Sequence, residues 1–165
     1  MNAAGRKVIP HNFYQASPFH ESRAAVADGW DPYYFIKLNG DRLPGSFERV
    51  NHFSDGLAGV CIDGKWGFID LEGGFVVEPR YTAVHAFSEG RAAVQQSCRR
   101  RLWIGLKKWG FIDHKGKQII APRFDEIFDG GFHGGEALVK LEDVWFVCDM
   151  DGKLRCTRPD VPTDS

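Results

Sequence analysis

Six histidines, four cysteines and a set of aspartates recurring at one phase are the residues of this chain with the chemistry to ligate a metal, attack a carbonyl or move a proton. Imidazole is the commonest neutral metal ligand. Yet His20 and His133 each follow a recurrent Phe, His52 and His85 each precede one, His114 falls in a turn, and no metal-ligand spacing links them. That scatter predicts polar surface groups and no metal site. Cys61, Cys98, Cys148 and Cys156 form neither a C-x-x-C pair nor a disulfide framework, which predicts reduced thiols in a reducing compartment. Cys61 reads as an exposed strand residue with no base or cation to make it a nucleophile, and Cys148 as a core residue, because it stands where Ile69 and Ile112 stand. Asp70, Asp113 and Asp149 each precede a glycine by three positions, which suits turn chemistry rather than acid–base work. With no nucleophile elbow, phosphate loop or dinucleotide fingerprint present, the expectation is no catalytic residue, no cofactor and no enzyme.

Binding chemistry concentrates in "SCRRRLWIGLKK", from Ser97 to Lys108. Arg99, Arg100, Arg101, Lys107 and Lys108 stand there without an acid and with Trp103 among them, in a chain whose formal net charge is −1. Arg beside Trp is the pairing enriched at protein-interface hot spots, so these six residues are the candidate partner-binding set. The same pairing suits phosphate contact and stacking with single-stranded nucleic acid, which is the alternative partner. The plain reading is an elongated hairpin with a solvated basic tip and Trp103 against the sheet. A second irregular stretch, "ADGWDPYYF", adds Trp30 at a turn.

The elements that position these residues follow from internal repetition. The landmark F-x-x-G-x-A-x-V occurs from Phe53, Phe87 and Phe132, with a fourth copy, "FHESRAAV", from Phe19. Downstream of each comes "YYFIK" from Tyr33, "WGFID" from Trp66, "WGFID" from Trp109 or "WFVCD" from Trp145. A glycine-bearing turn, an apolar run, a proline and an aromatic complete each unit. The period is 34 to 36 residues, stretched to about 42 in the third unit by the basic insertion. Units of about 5–39, 40–73, 74–115 and 116–151 form a single array over 1–156, and 157–165 reads as a flexible C-terminal tail.

Within a unit, Ala58, Val60 and Ile62 alternate with Leu57, Gly59 and Cys61 before Asp63-Gly64, which predicts a half-buried strand entering a two-residue hairpin. A third strand is expected to stop at the proline, since proline cannot donate to a ladder. "YTAVHAF" and "FDEIFDG" offer one helical turn each in the return segment. Each unit is thus a three-stranded antiparallel meander plus a return, in an all-β array that is either open and twisted or closed as a small propeller-like ring. Tyr33, Trp66, Trp109 and Trp145 recur at the repeat period and are structural first; Gly67 and Gly110 leave a vacancy over which a neighbouring aromatic is expected to lie, letting units nest.

"GLAGV…GKWGFIDLEG" and "GRAAV…KKWGFIDHKGKQIIAPRFD" resemble the WG-repeat, or KWG-repeat, family of bacterial proteins, over about Gly5 to Leu154. Tyr33-Tyr34 and Trp145-Phe146 depart from the Trp-Gly pair in the outer units. The resemblance implies an interaction or scaffolding module, here an adaptor or an immunity- or defence-type inhibitor that binds another protein. Charge near zero gives no global pull toward nucleic acid or membrane, and no apolar run reaches the roughly 18 residues of a membrane span, so a cytoplasmic protein is expected.

Overall fold

The computed structural model describes residues 9, 13–30, 32–97 and 106–156. Arg99, Arg100, Arg101, Trp103 and the tail at 157–165 lie outside the described residues. The described residues form strands and no helix, so among them no helix is long and apolar enough to cross a membrane. They build four separate antiparallel sheets, none closed on itself. The first holds β1 (Gln15–Ala16), β2 (Arg23–Ala27) and β3 (Tyr34–Lys37). The second holds β4 (Arg49–Val50), β5 (Leu57–Ile62), β6 (Lys65–Asp70) and β7 (Phe75–Tyr81), in that spatial order. The third holds β8 (Ala83–Val84), β9 (Arg91–Ser97), β10 (Lys107–Asp113) and β11 (Gln118–Phe124). The fourth holds β12 (Glu126–His133), β13 (Glu136–Leu141), β14 (Val144–Asp149) and β15 (Leu154–Cys156).

Each meander therefore gains a strand that the sequence leaves as a return. "YTAVHAF" and "FDEIFDG" supply β8 and part of β12 instead of helical turns, because Val84 and Ile127 pair with Val94 and Val139 on the next strand. The expected hairpin at Asp63-Gly64 forms with both residues at positive φ, 49° and 68°. The landmark is itself a second tight turn: Asp55-Gly56 and Glu89-Gly90 both take positive φ, and Ser54 and Ser88 bridge to Leu57 and Arg91 across it. Asp70 accepts the N–H groups of Glu72 and Gly74, each at 2.9 Å, and Asp113 and Asp149 repeat the arrangement. These carboxylates are turn builders.

The glycine of each Trp-Gly pair answers to backbone, not to an aromatic. A Cβ on Gly67 would stand 2.3 Å from the Val77 carbonyl oxygen and 2.8 Å from the Pro79 nitrogen. On Gly110 it would stand 2.5 Å from the Ile120 oxygen and 2.8 Å from the Pro122 nitrogen. Both contacts arise from a bulge. Phe68 pairs with Val77 and Trp66 with Tyr81, so the partner strand spends extra residues there and bends over the glycine. The third sheet repeats this, with Phe111 on Ile120 and Trp109 on Phe124. Proline does not end the strand; it sits in the bulge, where no ladder donor is needed, and the strand resumes. In the fourth sheet, where Phe146 replaces the glycine, β15 pairs in unbroken register with Phe146, Val147 and Cys148.

Successive sheets pack face on face. The core between the first and second joins Ala25 and Phe35 to Phe53, Val60 and Ile69. Phe68 and Val77 of the second sheet meet Phe87, Val94 and Ile112 of the third, and Phe111 and Ile120 of the third meet Phe132, Val139 and Cys148 of the fourth. A Phe–Phe rung recurs at every junction: Phe35 on Phe53 at 4.8 Å, Phe68 on Phe87 at 4.9 Å, and Phe111 on Phe132 at 4.8 Å, all edge to face. Such pairs contribute roughly 0.5–1.5 kcal/mol each beyond the area they bury. Because the second sheet lies between two others, β5 is buried on both faces rather than one. Cys61 is accordingly buried, not exposed, and it has a cationic neighbour, with Arg49 Nη2 3.4 Å from its sulfur.

Candidate functional site

The repeat leaves two places where its geometry is not used up by packing. One is a groove of about 670 Å³ crossing the second, third and fourth sheets, lined by His52, His85, Asp129 and His133 among others. It is built from the segments that precede each landmark turn. His85 is tilted over Trp109 with ring centroids 4.8 Å apart, and burial lowers its pKa, which keeps the imidazole neutral near pH 7. His52 lies 4.5 Å from the His20 ring across the first junction. His133 Nε2 lies 3.0 Å from the Asp129 carbonyl oxygen, and His114, outside the groove, stacks on Phe87 at 4.9 Å. Among the described residues no three His, Cys, Asp or Glu side chains converge as a metal set.

The groove's hydroxyls are committed to the frame. Ser54 Oγ donates to the Phe87 carbonyl and Ser88 Oγ to the Phe132 carbonyl, both at 2.7 Å. Beside them runs a polar ladder that the sequence reading missed. Glu21 accepts the Gly56 N–H at 2.9 Å, Asp55 accepts the Gly90 N–H at 2.9 Å, and Glu89 accepts those of Gly134 and Gly135 at 2.6 and 2.8 Å. Each acid in one landmark turn thus caps the turn of the next repeat. The signal was an acid at the same landmark position in three copies.

The other place is the edge carrying the hairpins between the second and third long strands of each unit. In the second and fourth sheets these are tight turns, at Asp63-Gly64 and Glu142-Asp143. In the first and third they are longer: 28–33 carries Trp30, and 98–106 carries most of the insertion. Topology repeats, so the strand ends that flank these four connections lie on one edge of the array. Trp30 is 79% exposed and rests on Tyr14, with centroids 5.3 Å apart. Lys107 is exposed, and Leu106 beside it presents apolar surface. Lys108 turns inward to an ion pair with Asp125, whose carboxyl it holds below its ordinary pKa. Of the predicted partner-binding set, then, Lys107 faces solvent at the base of the insertion and Lys108 ties the third sheet to the fourth.

The structural residues sit as their recurrence demands. Trp66 is buried, Trp109 half-buried beneath His85, and Trp145 half-buried against Phe128. Tyr33 pairs through its backbone with Phe47, and its hydroxyl donates to Gln15. In the first sheet Tyr34 stands where the glycine would be, and burial raises its pKa. The facing segment there keeps the two-against-four spacing, with the Leu43 N–H on the Phe35 carbonyl and Phe47 on Tyr33, and Gly45 between them has φ +99°.

No curated protein matches the chain at a significant level. Among solved structures it is similar to the computationally designed Ika4 protein, with TM-score 0.52 and 12% identity, covering 93% of this chain and 98% of that one. It is also similar to the computationally designed Ika8 protein, with TM-score 0.52 and 14% identity over 91% of this chain. The chain spans 51% of the Ika8 chain. At such identities the likeness concerns the fold alone, and it is all-β repeat structure in both cases. The WG containing repeat profile matches residues 1–29, 42–66, 66–97 and 109–145, well over half of the sequence and across all four sheets. By that match, and by the bulge that explains its Trp-Gly pair, the chain belongs to the WG containing repeat family.

Proposed function

We propose that the chain is a non-enzymatic protein-binding module, an adaptor or an immunity- or defence-type inhibitor, whose partner docks on the edge that carries the elongated hairpins. The observation that supports this reading most is the exposed Trp30 tilted over Tyr14 at the connection between β2 and β3; the sequence between the matching strands β9 and β10 of the third sheet carries Trp103 and the arginines. Solvent-facing tryptophan beside arginine is what interface anchors are made of. Ser54 and Ser88 donate to backbone carbonyls, and burial pushes the Cys148 thiol up.

Affinity capture with the full chain from its native host tests this. A specific partner retained by wild type and lost by Trp30→Ala, or by Trp103→Ala with Arg100→Glu, is the expected result. No specific partner, or an unchanged partner list, refutes it. A mobility shift on single-stranded nucleic acid that weakens steeply with salt would replace the protein partner by a phosphate-bearing one.

A further inference from the structure

We propose that the outer face of the fourth sheet docks the first repeat of a second copy of this chain, continuing the inter-sheet junction from one molecule into the next. In the first three sheets the face turned toward the next repeat bears a polar residue after the first strand, a small residue in the second, and the rung Phe in the third. These are Ser17, Ala25 and Phe35; then Asn51, Gly59 and Phe68; then His85, Ala93 and Phe111.

The equivalent fourth-sheet residues are Phe128, Leu138 and Val147. Here the polar and small positions become large and apolar, although no further repeat covers them among the described residues. Phe128 is 58% exposed and stands edge-on to Trp145 at 6.3 Å, and a hollow of about 220 Å³ opens between Phe128, Leu138 and Val147. A sheet face turned only to water is expected to be polar. At Phe128, Leu138 and Val147 this face is more apolar than the matching positions inside the array, and the Glu136–Arg155 ion pair stands beside them.

The complementary half stands at the other end. Phe53, Phe87 and Phe132 are buried because each receives the rung Phe of the preceding sheet. Phe19, the landmark Phe of the first repeat, is 39% exposed. Each junction also takes an apolar residue and an aromatic four positions on from the preceding last strand: Leu43 and Phe47, Val77 and Tyr81, Ile120 and Phe124.

In β15 the residue opposite Val147 is Arg155, whose guanidinium pairs with Glu136, while Cys156 pairs with Phe146 on the other face, so the fourth sheet does not supply that apolar residue, and position 160 is Asp. Ile9 and Phe13, at the same spacing, pack on the first sheet with Ala24, Val26 and Ile36. The first repeat thus brings its own strand pair and lacks only the rung, which the fourth-sheet face supplies. Gly134 occupies the ladder's acid position, so the polar ladder ends there, and the contact between copies rests on Phe128, Leu138 and Val147 with the Glu136–Arg155 pair at their side. Contact of one end with the opposite end is heterologous, giving a closed pair or a longer string.

Sedimentation of the full chain over rising concentration tests the proposal. Wild type should associate; Phe128→Glu, with a spoiled end face, and Phe19→Glu, with a spoiled first repeat, should each remain monomeric with an unchanged circular dichroism spectrum. Mixed together they should form a one-to-one pair, since each retains the half the other lacks. Wild type that stays monomeric to about 1 mM overturns it. So does a Phe19→Glu variant that associates as wild type does, which would mean end faces pairing with each other, or a mixture that fails to pair.

Discussion

Replacing Gly67 by alanine places a methyl carbon 2.3 Å from the Val77 carbonyl oxygen and within 3.0 Å of the Pro79 nitrogen and the Glu78 carbonyl carbon. All three contacts are backbone atoms of the bulged strand, so no side-chain rotation relieves them. The strand must either withdraw, breaking the pairing of Trp66 with Tyr81 and of Phe68 with Val77, or carry the overlap. Overpacking costs about 1–3 kcal/mol where side chains can yield, and a backbone clash falls at or above the top of that range. At about 2–4 °C per kcal/mol for a chain of this size, a cost of about 3 kcal/mol lowers the melting temperature by about 6–12 °C. Gly29→Ala is the control, because a Cβ there meets nothing within 4 Å. Urea unfolding of both variants, read by tryptophan fluorescence with the slope checked for constancy, supplies the comparison. Equal midpoints for the two variants would refute the bulge as the reason for the Trp-Gly pair. Gly110→Ala, facing the Ile120 oxygen at 2.5 Å, should behave like Gly67→Ala.

Glu89→Ala removes the acceptor of two backbone N–H groups and should cost about 1–2 kcal/mol, with faster hydrogen exchange at Gly134 and Gly135 as the local readout. Acid should weaken the fold in two steps. Burial lowers the His85 pKa, so its contribution is complete above about pH 6.5 and is lost as pH falls below that value, and His85→Gln should remove this step from a melting-temperature profile. Asp113 is lowered by the Lys117 N–H, Asp125 by Lys108 and Glu72 by Lys37. Their contributions are complete above about pH 4 and disappear as pH falls through their folded-state values, and Asp125→Asn should shrink that second step.

What the sequence could show was whatever a single strand or turn determines on its own. Asp63-Gly64 needs positive φ at both residues, and Asp70 needs only the two N–H groups that follow it, so both were legible locally. The bulge over Gly67 depends on the register of a strand ten residues on, which no local pattern encodes, and the vacancy was therefore assigned to an aromatic. Cys61 looked exposed because alternation describes one sheet, whereas its burial comes from the sheet stacked against it. The acidic ladder joins residues about one repeat apart. It was visible only as an acid recurring at one landmark position, a pattern that a solvated turn would show equally well. Of the candidate site, Lys108 was grouped with the exposed basic residues, since its partner Asp125 lies beyond the strand that follows.

In the proposed function the Trp-Gly repeat is frame and recognition belongs to the hairpin edge. The most direct measurement is the affinity of the captured partner for three forms of the chain: wild type, the combined Trp30→Ala, Trp103→Ala and Arg100→Glu variant, and Leu38→Ala. Leu38 is an exposed apolar residue in the turn at the opposite edge of the first sheet. Hot-spot removal should weaken binding by at least about tenfold for the hairpin variant and leave Leu38→Ala at the wild-type value. Equal affinity of the hairpin variant and wild type, or loss on Leu38→Ala alone, would contradict the claim.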